Sequence, residues 1–89
     1  MLQRRQARIL ARRPLLKECS QIEAHLEKWN TEKSHSDTRL NEPQLYESAD
    51  KTELQQLLKK QAELTQLIEE AELRWLELHE QLEALPEIN

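Results

Sequence analysis

Apolar or small side chains recur along this chain in alternating steps of four and three, at Leu15, Cys19, Ile22, Leu26 and Trp29, then Lys33, Ser36 and Leu40. A second run with the same step begins at Leu54 and continues through Leu57, Gln61, Leu64, Ile68, Ala71, Trp75, Leu78, Leu82 and Leu85. Such steps keep one stripe of a helix facing the same way, which is the heptad repeat of a coiled coil. Folding the chain back between Leu40 and Leu54 pairs Ser36 with Leu57, Lys33 with Gln61, Trp29 with Leu64 and Leu26 with Ile68. The same register sets Ile22 against Ala71, Cys19 against Trp75 and Leu15 against Leu78. Two polar residues then share a layer, and bulky Trp75 faces small Cys19, as interdigitated packing asks. The pattern predicts an all-α fold, an antiparallel two-helix coiled-coil hairpin with a short basic helix before Pro14.

The expected layout is a basic lead-in helix over residues 1–13 and a hairpin over 14–89, with a helix at about 15–40, a loop at about 41–49 and a helix at about 50–85. Residues 2–13 are mostly Arg, Gln, Ala and Leu, all good helix formers. Pro14 lacks a backbone donor and suits a first turn, which predicts a break at Arg13 and a fresh start at Leu15. The apolar phase shifts there as well, leaving Ile9, Leu10 or Ala11 to cover Leu82 and Leu85. Asn30, Thr31, Ser34, Ser36, Asp37 and Thr38 are weak helix formers that loosen the end of the first long helix. Pro43 disfavours helix at Glu42, and Leu45 with Tyr46 is expected to fold over the end of the seam as a lid. Asp50 and Glu53 have capping-box spacing, and Pro86 follows the last seam residue as a stop.

Composition narrows the function classes. The chain has no glycine and no phenylalanine, and 34% of its residues are charged, so it carries a seam instead of a thick core with a pocket. A phosphate-cradling Walker loop needs glycines and is therefore excluded. No stretch is apolar enough to span a bilayer and no signal-peptide core is present, which predicts a cytoplasmic chain without a membrane partner. Cys19, the one cysteine, falls on the seam and reads as a buried thiol. His25, His35 and His79 lack metal-ligand spacing, and the carboxylates lie on convex helix surfaces, so neither a metal site nor catalytic residues are expected in this fragment.

Charge is divided at Pro14. The formal net charge is −4, yet Arg4, Arg5, Arg8, Arg12 and Arg13 precede that proline with no acid among them. Arg5, Arg8 and Arg12 share one helix stripe, flanked by Arg4 and Arg13. Guanidinium groups in a row suit phosphate backbone contacts that position a nucleic acid without reading its bases, and these five residues are the predicted nucleic-acid-binding set. The absence of an aromatic residue among them argues against single-strand stacking. Lys28, Lys33, Lys59 and Lys60 are interrupted by Glu27, Glu32 and Glu63 and read as ordinary solvated charge. Trp29 and Trp75 occupy seam positions, whereas Tyr46 at the loop tip is a second candidate contact.

The segments Gln44-Leu45-Tyr46-Glu47-Ser48, Lys51-Thr52-Glu53-Leu54 and Glu69-Glu70-Ala71-Glu72-Leu73-Arg74-Trp75-Leu76-Glu77 resemble the C-terminal coiled-coil domain of ABC-F ATPases, most of all that of YheS-like members, and the equivalent domain of Uup-like relatives is associated with DNA binding. That resemblance implies an appendage of a cytoplasmic, translation-related ATP-binding protein that contacts ribosomal RNA or DNA. ATP and Mg belong to the parent ATPase, and no cofactor is implied for this fragment. The implied partners are nucleic acid and the ATPase domains of the same parent chain, with the fragment itself monomeric. Two other readings stay open: a protein–protein docking or dimerisation coiled coil, and the tRNA-binding coiled-coil arm of an aminoacyl-tRNA synthetase.

Overall fold

A computed structural model describes the backbone of residues 2–85 and the side chains of residues 9–85. Among them the fold is all helical: α1 spans Leu2–Leu40, α2 Pro43–Glu47 and α3 Thr52–Ala84. The long helices α1 and α3 pack together in a rod whose principal extents are 71 × 15 × 14 Å. Arg39 meets Glu53 beside the connection and Glu18 meets Arg74 far from it, so positions that rise along α1 fall along α3.

Every seam position predicted from the heptads is buried or half-buried. Cys19, Leu64, Ile68 and Leu78 are buried, and Leu78 is completely enclosed at 0% exposure. Removing such stripes from water drives the association of two helices that would be marginal alone. Leu45 seals the connecting end at 3% exposure.

Several expectations are corrected. α1 is continuous through Pro14, with no break at Arg13 and no separate lead-in helix. A proline inside a helix forfeits one ladder bond, but Pro14 is exposed and lies between runs of good helix formers, so the ring stays outside the packed seam. Because the helix is unbroken, the heptad phase carries back from Cys19 and Leu15 to Arg12. Accordingly Arg12 is half-buried, while Ile9, Leu10 and Ala11 are exposed and do not cover the last turns of α3. α1 runs unbroken through the weak formers from Asn30 to Thr38 and holds to Leu40.

The connection contains one turn of helix, α2, where a plain loop is predicted. Pro43 starts it, and Glu42 is extended at φ −79°, ψ 124°, the conformation a following proline imposes. The lid is Leu45 alone. Tyr46 is 50% exposed, its hydroxyl donating to the Leu40 carbonyl oxygen at 2.5 Å. α3 starts at Thr52, slightly later than expected. Asp50 Oδ1 accepts from the Thr52 N–H at 2.8 Å, and the Thr52 hydroxyl together with that N–H holds the Asp50 carboxyl below its ordinary pKa. Glu53 does not close a capping box, because its carboxylate is taken by Arg39.

Candidate functional site

The arginine-bearing turns belong to the N-terminal part of α1. Arg4, Arg5 and Arg8 lie on its backbone, but their side chains fall outside the described residues. Of the remaining pair, Arg13 is exposed and Arg12 is half-buried at the end of the seam, a position that suits its long aliphatic stem. Ile9, Arg12, Arg13 and Leu16 together line a shallow surface hollow of about 310 Å³. Its floor is apolar and its charge is solely positive. Such a surface can hold an anion beside an apolar group, and it offers no proton-transfer pair or nucleophile.

Continuity through Pro14 changes the geometry of the stripe. Positions 5, 8, 12, 15 and 19 now advance in unbroken heptad steps, so the arginine positions prolong the seam toward and past the last turns of α3. The predicted stripe therefore stands at the root of the rod, with Tyr46 at the opposite end.

Two guanidinium groups that sequence reasoning overlooked tie the helices together. Arg74 Nε donates to Glu18 Oε2 at 2.5 Å and its Nη2 to Glu18 Oε1 at 2.9 Å, while Nη1 reaches Glu77 at 3.1 Å. Arg39 makes the same fork on Glu53 at 2.6 and 2.9 Å and also bonds Glu42. Bidentate geometry makes these pairs directional as well as electrostatic. The signal was present in the heptads. Residues 18, 39, 53 and 74 each immediately precede a seam residue, so they occupy the same flank of the helix pair.

Hydrogen bonds from Arg74 and Arg39 hold the Glu18 and Glu53 carboxyls below their ordinary value of 4.5, and the arginines are held further into their charged form. A carboxyl depressed in the folded state contributes stability above its unfolded pKa and loses that contribution as pH falls through the folded value. The stability difference between the native chain and an E18Q/E53Q variant is therefore expected in full at about pH 6 to 7 and to shrink as pH falls below 4.5 through the depressed folded-state values. It is small, since both pairs are substantially exposed. Thermal melts of both chains across that range check it, and a difference that persists in acid refutes it.

Trp75 and His79 meet in a tilted arrangement, 44° between ring planes and 3.8 Å between centroids, and Trp75 Nε1 donates to Glu23 Oε1 at 3.1 Å across the helices. Trp29 lies against His25 with centroids at 5.3 Å. Both tryptophans are half-buried, as their seam positions require. Burial, then the neighbouring Glu23 and Glu18, pushes the Cys19 thiol up. A thiol reagent is thus expected to modify Cys19 at least about tenfold faster in denaturant than in buffer, and equal rates overturn this. Lys28, Lys59 and Lys60 are exposed, consistent with solvated charge.

Among the described residues no helix is long and apolar enough to cross a membrane, and no group of three or more potential metal ligands is assembled. The family model described as ABC transporter C-terminal domain matches residues 13–80, which takes in most of both long helices. No curated protein and no solved structure matches the chain.

Proposed function

Because the chain belongs to the ABC transporter C-terminal domain family, we propose that it is an antiparallel coiled-coil hairpin appended to an ABC-F-type ATPase, whose arginine-rich root grips the phosphate backbone of ribosomal RNA or DNA. The matched family is that of a C-terminal domain and not of the ATP-binding cassette itself, which supports reading the chain as an appended domain.

The hairpin register is supported by the two bridging ion pairs. Arg39–Glu53 adjoins the Ser36–Leu57 layer and Glu18–Arg74 adjoins the Cys19–Trp75 layer, as the heptad pairing asks. The observation that carries the functional reading is the position of the charge. Five arginines without an acid stand on one unbroken helix that prolongs the rod. Their guanidinium groups neutralise phosphates, the absence of aromatic residues leaves bases unread, and the rod sets the distance between root and tip. ATP-driven motion in the parent then repositions a passive lever. Tyr46, exposed at the other end, is a second contact in this reading.

Binding of the chain to labelled RNA and DNA duplexes, compared with a variant in which Arg4, Arg5, Arg8, Arg12 and Arg13 are glutamine, tests the proposal. Loss of binding in the variant supports it. Undiminished binding sinks it. If neither chain binds, the root serves as a docking surface for an acidic face of the parent.

A further inference from the structure

Within about two turns of the connecting end the seam turns polar on both helices at once. α1 brings half-buried Lys33 and buried Ser36, and α3 brings half-buried Gln61. The Gln61 amide donates to Asp37 Oδ1 across the helices, but its own Oε1 is buried and accepts no hydrogen bond from the described residues. A buried acceptor that has left water without gaining a donor weakens the closed state. This level is therefore a weak stretch of the seam, because the unsatisfied acceptor coincides there with polar residues on both helices.

The helices are softened at the same level. Thr31 Oγ1 donates to the Glu27 carbonyl at 2.9 Å, Thr38 Oγ1 to Ser34 at 3.0 Å and Thr65 Oγ1 to Gln61 at 2.8 Å. Such bonding to the carbonyl four residues back competes with the helical ladder and bends helices. Asn30, Ser34 and Asp37 add low helix propensity. Packing recovers on either side. Toward the root, Cys19, Leu64, Ile68 and Leu78 are buried. Toward the tip, Leu45 is buried, Arg39 ties Glu42 to Glu53, and Lys51 Nζ donates to the Tyr46 carbonyl at 2.5 Å.

We propose that the level of Lys33, Ser36 and Gln61 is a hinge, about which the tip bends as one body relative to the root. Two well-tied segments joined by a polar, poorly satisfied layer bend there first, because opening that layer gives its buried polar groups back to water. The inference is independent of what the arginines bind.

Amide hydrogen exchange on the whole chain tests it. Amides of residues 30–37 and 58–65 are expected to exchange at least about tenfold faster than those of 19–26 and 68–78, with slower exchange again near Leu40 and Leu54. That local minimum in protection separates a hinge from simple fraying at the tip. Protection that is uniform, or that declines steadily from root to tip, overturns the hinge. A K33L/Q61L variant is expected to bring the layer to the protection of the root. Where that variant slips register, a T31A/T38A/T65A chain provides the second reading. Its layer is expected to exchange more slowly than in the native chain, and unchanged rates count against the proposal.

Discussion

Leu78→Ala is expected to lower the thermal midpoint by about 10 °C or more, the largest single-residue effect on this fold. Leu78 is the one described residue with no exposed surface and a large apolar side chain. Truncating an enclosed leucine costs about 2 to 5 kcal/mol, part lost transfer energy and part the cavity left behind. For a domain of this size, total stability is on the order of 5 to 10 kcal/mol, so one methyl cluster represents a large share. A two-helix rod has little neighbouring structure with which to refill the gap. Leu73→Ala is the matched control, because Leu73 is 62% exposed and its loss should stay within about 0.5 kcal/mol. Melts followed by far-ultraviolet circular dichroism compare the two, and equal shifts refute the seam as the source of stability.

The second large effect concerns salt. If all five root arginines neutralise phosphates, affinity for B-form DNA falls with a log–log slope of about −4.5, or roughly 500-fold between 50 and 200 mM salt. The glutamine variant loses the corresponding counterion release, so its slope approaches zero. A slope near −2 would assign the contact to only two of the arginines, with Arg12 and Arg13 at the described hollow the first to examine. A steep slope retained by the variant would place the anion-binding surface elsewhere, with Lys28, Lys59 and Lys60 the next residues to replace. Fluorescence anisotropy at several salt concentrations distinguishes these outcomes.

Legibility followed range. Seam residues from Leu15 to Leu85 were readable because heptad spacing is a local, repeated signal that each turn reinforces. Pro14 misleads because its local cost is real, and only its exposed placement, outside the packed seam of a continuous helix, shows that the helix absorbs it. Asp50 was recognised as a helix-start residue, but its partner proved to be the Thr52 N–H, since Glu53 had a stronger claimant in Arg39. The arginine cluster was plain from charge alone. Its alignment with the seam was not, because the supposed break hid the common phase.

Helical class, the two stripes and the basic root all follow from neighbours within a few turns, and periodicity together with composition is enough to establish them. Which carboxylates Arg39 and Arg74 grasp is a different matter, since Glu53 lies 14 residues from Arg39 and Glu18 lies 56 from Arg74. The buried, unpartnered Gln61 oxygen, the exposure of Tyr46 and the half-burial of Arg12 likewise depend on how the second helix lies against the first. Hydrogen bonding and burial are properties of side chains brought together from distant positions, and they take definite values only once the two helices have met.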